Sequence, residues 1–148
     1  MIIKNVKVYT EDKRFEDGEI YIRDGIFTSA PEGMEAEEMI DGEGCYAIPG
    51  LIDLHFHGCK GDDFCDGTKE AIARIAEYEA SVGVTAIAPA TMTLPVDELE
   101  AILKTAAEYK KEQVSERADL IGINMEGPFI SSEKKGAQDA RNIISCDQ

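Results

Sequence analysis

Basic side chains are scarce in this chain. Its 148 residues carry 15 Lys and Arg against 30 Asp and Glu, a formal net charge of −15. Such a balance repels phosphate backbones and anionic lipid surfaces, which argues against nucleic acid and membranes as partners. An anionic substrate would need a site built locally. Long apolar runs are also missing: none reaches the about 18 residues that a membrane-spanning helix needs. The start, Met1-Ile2-Ile3-Lys4-Asn5, lacks the apolar region and cleavage site of a secretory signal. These absences lead us to expect a cytoplasmic protein. Cysteine is sparse, and Cys45, Cys59, Cys65 and Cys146 form no Cys-x-x-Cys pair. In a reducing compartment they are expected to be free thiols. Cys59, close to the histidines, deserves weighing as a ligand, although a loop residue is the simpler reading.

Histidine is scarce as well. The 2 in the chain, His55 and His57, stand one residue apart in the run Ile48-Pro49-Gly50-Leu51-Ile52-Asp53-Leu54-His55-Phe56-His57-Gly58. On a strand, residues two apart project from the same face, so two imidazoles at this spacing can share one metal ion. Leu51, Ile52, Leu54 and Phe56 suit a buried strand, and Gly58 ends it. The alternatives are a hydrogen-bonded structural couple and a weak surface site.

With 43% hydrophobic residues the chain can build a core, and its length suits one or two small domains. Residues 1 to about 48 read as a small β-rich unit. Ile2, Ile3, Val6, Val8 and Tyr9 make a strand. Gly18 to Arg23 alternates, Asp24-Gly25 marks a tight hairpin turn, and Ile26-Phe27-Thr28 returns. Pro31 to Glu38 is an acidic loop, and Met39-Ile40-Asp41 and Cys45-Tyr46-Ala47-Ile48 suggest two more short strands.

From residue 49 to 148 the pattern changes to strand–helix–strand–helix–strand. The His-x-His strand comes first, then a polar loop from Gly58 to Gly67. A helix over Thr68 to Val82 follows, with Ala71, Ile72, Ile75 and Ala76 on one face and Gly83 as its stop. Val84 to Pro89 is the second strand. A helix from Pro95 to Gln113 buries Val96, Leu99, Ile102, Leu103 and Ala106. Leu120 to Glu126 is the third strand, and Gly127-Pro128 ends it. This order predicts an α/β fold of βαβ units on a parallel sheet. Chemistry in such folds collects at the strand ends. His55 and His57 end the first strand and Glu126 the third, and a His, His, Glu set suits zinc or a similar divalent ion. Asp62, Asp63 and Asp66 lie in an acidic loop and read as solvated or capping residues.

Pro49-Gly50-Leu51-Ile52-Asp53-Leu54-His55-Phe56-His57-Gly58 resembles the amidohydrolase superfamily. Three further stretches resemble one family within it, the N-acetylglucosamine-6-phosphate deacetylases. They are Gly58 to Gly67, Ala88-Pro89-Ala90-Thr91-Met92-Thr93, and Asn124-Met125-Glu126-Gly127-Pro128-Phe129 with Lys134-Lys135-Gly136-Ala137-Gln138. The resemblance implies a partial (β/α) TIM-type barrel, of which these are the first three strands, preceded by a small β-sandwich segment. It implies hydrolysis of N-acetylglucosamine 6-phosphate to glucosamine 6-phosphate and acetate, in amino-sugar catabolism. His55, His57 and Glu126 would hold a divalent metal, zinc first, with iron or another divalent ion as alternatives. Ala137 matches a residue whose backbone contacts the sugar. Gln138 stands where many relatives have histidine, and its amide keeps a hydrogen bond but not a charge. The complete enzyme is expected to be a homo-oligomer, a dimer.

A full barrel needs about 250 residues. The resemblance places two more metal-binding histidines and the acid/base aspartate on later strands, and the chain has no third histidine. It therefore reads as an amino-terminal part, expected to be inactive alone and to hold metal weakly. A dihydroorotase- or hydantoinase-like amidohydrolase is the first rival, but such enzymes rely on a carboxylated lysine, and Glu126-Gly127-Pro128 argues against it. A non-catalytic module that self-associates is the second.

Overall fold

A computed structural model describes residues 1–30 and 38–146. The chain divides into two compact units, Met1–Pro49 and Gly50–Gln148. The acidic loop expected over Pro31 to Glu38 falls, apart from Glu38, outside the described residues.

The first unit is a single five-stranded sheet. β1 (Ile2–Tyr9) pairs antiparallel with β2 (Phe15–Arg23), which pairs antiparallel with β3 (Ile26–Thr28). β4 (Met39–Asp41) and β5 (Tyr46–Ala47) both run parallel to β1. The β2–β3 hairpin turns at Asp24 and Gly25, with φ of 53° and 74°. That is the left-handed pair a two-residue hairpin requires, and Asp-Gly supplies it at low cost. Ile2 and Val6 are buried, and the aromatic rings of Tyr9, Phe15 and Tyr46 pack in series. No second sheet faces this one among the described residues of the unit.

The second unit carries a three-stranded parallel sheet. β6 (Leu51–Asp53) pairs with β9 (Val84–Ile87), and β9 pairs with β10 (Asp119–Leu120). Between β6 and β9 lie the ribbon β7 (Gly58–Cys59) and β8 (Asp62–Asp63), a 3₁₀ turn at Phe64–Asp66, and helix α1 (Lys69–Ser81). Helix α2 (Val96–Glu112) joins β9 to β10. The loop expected over Gly58 to Gly67 is therefore ordered by local pairing. The Thr68 hydroxyl accepts from the Ala71 N–H and caps α1, and Gly83, at φ 89°, turns the chain into β9.

The α1 stripe is the expected one, extended by Glu79. On α2 the buried residues are Leu99, Ile102, Ala106 and Tyr109. Val96, expected in that stripe, is exposed because it opens the helix, one turn before the buried stretch that begins at Leu99; Leu103 is half-buried. The core gathers Phe64, Ile72, Ile75, Val84, Ile87, Ile102 and Leu120 between the helices and one side of the sheet. There is no closed barrel among the described residues. Leu51, Ile52 and Leu54, read from sequence as buried, are 52%, 59% and 59% exposed. Leu51 and Ile52 lie on β6, the edge strand of the sheet, and Leu54 lies just past its end, where the sheet has no neighbouring strand among the described residues to cover them.

Candidate metal centre

His55 and His57 lie beyond the end of β6, which stops at Asp53, and not within it. The Asp53 carboxylate accepts the His55 backbone N–H at 3.0 Å as the chain leaves the strand. Ladder-type bonding nevertheless continues past the regular strands. The Ala88 N–H donates to Asp53 O at 2.8 Å, and the Ala90 N–H to Phe56 O at 2.7 Å. On the other side, the Asn124 N–H donates to Pro89 O at 2.9 Å and the Thr91 N–H to Asn124 O at 3.0 Å. These bonds bring the histidines and the segment around Glu126 into one layer at the carboxyl end of the sheet. The third strand, expected to run to Glu126, is regular only at Asp119–Leu120, with an isolated bridge between Ala90 and Asn124.

In that layer one carboxylate oxygen meets both imidazoles. Glu126 Oε2 lies 3.3 Å from His57 Nε2 and 3.6 Å from His55 Nε2. The rings stand nearly perpendicular, with centroids 5.6 Å apart. One donor atom from each of the three residues falls within 4.8 Å of the others. His55 is held from behind: the Asn124 amide nitrogen lies 3.1 Å from its Nδ1 and donates to Leu54 O at 3.1 Å. His57 is held through its backbone, whose carbonyl accepts the Phe64 N–H at 2.7 Å. Its Nδ1 is buried and has no partner among the described residues, so the ring's polar work lies at Nε2, on the Glu126 side. Two imidazole nitrogens and a carboxylate oxygen converging on one point fit a divalent ion of the zinc type.

The acidic loop residues do other work. Asp62 forms a paired hydrogen bond with Arg74, at 2.8 Å to its Nε, and the guanidinium lowers the Asp62 pKa. Asp63 accepts the Cys65 N–H, and Asp66 accepts the Asp63 N–H, in a reciprocal capping box. Burial, followed by the charge of Glu79, raises the Cys59 thiol pKa, and Cys59 is not in the converging group. All four cysteines are free thiols.

Ala137 is exposed. Gln138 is only 4% exposed, and its amide oxygen accepts the Thr93 N–H at 2.7 Å, so its side chain is committed inside the fold. Sequence reasoning gave no role to Asn124, Thr91 or Thr93. The available signal was a pair of threonines two apart, directly after a strand.

No family model matches the chain. It is similar to the N-acetylglucosamine-6-phosphate deacetylase of Lysinibacillus sphaericus, 27% identical over 99% of this chain and 38% of that protein. It is also similar to the N-acetylgalactosamine-6-phosphate deacetylase of Escherichia coli O157:H7, 27% identical over 92% of this chain and 35% of that protein. Among solved structures, the N-acetylglucosamine-6-phosphate deacetylase of Thermotoga maritima superposes with a TM-score of 0.78 at 28% identity, covering 98% of this chain and 37% of that one. The chain thus spans under two-fifths of the length of these relatives.

Proposed function

We propose that this chain is the amino-terminal section of a metal-dependent deacetylase acting on N-acetylated amino-sugar phosphates, with N-acetylglucosamine 6-phosphate as substrate. One observation carries the reading: a single Glu126 oxygen lies within 3.6 Å of both His55 Nε2 and His57 Nε2, at the carboxyl end of a parallel sheet. That is where α/β folds collect their chemistry. The similarity to deacetylases along nearly the whole chain supports it.

In this reading residues 1–48 form the small β-sandwich segment, and residues 49–148 the first three strands of a (β/α) barrel. The parallel order β6-β9-β10, with a helix in each connection, supports the barrel assignment. His55, His57 and Glu126 hold the metal, zinc in the first place. An ion held there would supply Lewis-acid chemistry, for an acetamide carbonyl and for water. The chain's own part is to hold three donors in place. Asn124 sets the His55 ring, the Phe64 N–H anchors the backbone of His57, and Glu126 places its charge between the two imidazoles. Ala137, which is exposed, offers its backbone to the sugar, while the Gln138 side chain is tied to the Thr93 N–H. A dimeric, cytoplasmic whole enzyme is part of the same proposal. No helix among the described residues is long and apolar enough to cross a membrane.

Zinc titration of the chain followed by thermal unfolding tests the proposal. A ligand at about 100 times its Kd adds about 2.7 kcal/mol of stability. We expect a zinc-dependent rise in Tm in the wild type and none in His55→Ala/His57→Ala. An equal rise in both would refute the ligand assignment.

A further inference from the structure

We propose that Thr91 and Thr93 are positioning residues that aim the Glu126 carboxylate at the two histidines. The inference rests on the metal-site reading above. Regular pairing of the third strand ends at Leu120, and the last ladder contact is the bridge between Ala90 and Asn124. Beyond it, two side chains take over the work of the ladder. The Glu126 N–H donates to Thr91 Oγ1 at 3.2 Å, and the Thr93 hydroxyl donates to Glu126 O at 2.9 Å. Both peptide groups that flank the Glu126 side chain are thus gripped, one by an acceptor and one by a donor.

The grip is firm because the threonines are themselves immobilised. They are 0% and 2% exposed. The Thr91 N–H donates to Asn124 O, and the Met92 N–H donates to Cys65 Sγ at 3.2 Å. The Thr93 N–H donates to Gln138 Oε1, and Thr93 O accepts from Asn142 Nδ2 at 3.1 Å. Segment 91–93 is therefore tied to four residues from three stretches of chain, which fixes the positions of its hydroxyls. Gly127 completes the fit. It sits at φ 99°, where a side chain is strained, and a methyl group there would lie 2.9 Å from Thr93 Cβ and closer still to the hydroxyl. The space beside Glu126 is reserved for Thr93 Oγ1. Buried donors and acceptors of this kind are costly to orphan, and groups that orient metal ligands typically change metal affinity by roughly 10- to 100-fold when removed.

The test compares Thr91→Val and Thr93→Val, which keep the shape and lose the hydroxyl, with Thr91→Ser and Thr93→Ser, which keep the hydroxyl. Thr85→Val serves as the control, since the Thr85 hydroxyl makes only a long 3.4 Å bond to Leu51 O away from the site. Zinc affinity is read by competition with a chromophoric chelator, and site geometry by the visible spectrum of the cobalt(II) form. We expect the valine variants to bind zinc roughly tenfold or more weakly with an altered cobalt spectrum, and the serine variants and Thr85→Val to match the wild type. Amide hydrogen exchange of Glu126 in the metal-free wild type gives a second readout that needs no variant to fold. It should be slow, and faster in Thr91→Val while the Leu120 amide is unchanged. Unaltered zinc affinity and cobalt spectra in both valine variants, or free exchange of the Glu126 amide in the wild type, would overturn the clamp. Absence of zinc binding by the wild type, with the Glu126 amide protected, would overturn the metal reading and leave the clamp standing.

Discussion

Gly58→Ala is the sharpest single perturbation of this fold. Gly58 follows His57 and pairs with Asp63 across the β7–β8 ribbon. A methyl group built there would lie 2.7 Å from Asp63 Cα and closer still to the Asp62 carbonyl oxygen. Both obstacles are backbone, so no rotamer change relieves them. The opposing strand cannot easily retreat either, because Arg74 grips the Asp62 carboxylate and Asp63 and Asp66 cap one another. Ribbon and histidine must therefore separate by about half an ångström or more. Overpacking of this kind costs about 1–3 kcal/mol, and the lost unfolded-state freedom of glycine offsets about 0.4–1 kcal/mol. A net loss of about 1 kcal/mol corresponds to a fall in Tm of about 4–8 °C for a unit of this size. The same displacement moves His57 Nε2 off Glu126, so zinc affinity should fall about tenfold or more. Thermal unfolding by circular dichroism and chelator competition read the two effects. A Tm within about 2 °C of wild type together with unchanged zinc affinity would refute the steric argument.

Other outcomes follow from burial. Glu79 lies buried on α1, where desolvation and then the charge of Asp53 raise its carboxyl pKa above the ordinary 4.5. The unfolded chain ionises there first, so stability falls as pH rises through 4.5 and levels off above the folded value. Glu79→Gln should therefore raise Tm at pH 7 and leave it unchanged near pH 4; the same increment at both pH values would contradict this. Ile72 is fully buried and Ile52 is 59% exposed. Ile72→Ala should cost about 2–5 kcal/mol in urea unfolding, and Ile52→Ala less than about 1 kcal/mol. Comparable losses would mean that the outer face of β6 is covered in solution.

Local pattern carried much of the architecture. The 3.6-residue stripes marked both helices to within a residue or two, because Ile72, Ile75, Leu99 and Ile102 recur at the spacing one buried face demands. Asp24-Gly25 marked its hairpin because few other dipeptides accept two left-handed residues in succession. The burial of Leu51, Ile52 and Leu54 was not legible. An apolar strand has the same sequence whether helices cover one of its faces or both. Tyr109 was missed although it continues the α2 stripe, since Leu99, Ile102, Ala106 and Tyr109 recur at the three-and-four spacing of one helix face.

The candidate site divides along the same line. The chain's only two histidines, at a spacing of two, and a glutamate before Gly-Pro identify the donors by residue type alone. Sequence also orders the strands whose ends carry them. Tertiary structure decides the rest. It places the histidines past the strand instead of on it, sets one Glu126 oxygen against both rings, and withdraws Gln138 into the interior. It also recruits Thr91 and Thr93 to grip Glu126 from more than 30 residues away. Periodicity records which face of an element is apolar. Hydrogen bonds between distant segments leave no local period, so they become visible only once the chain has folded.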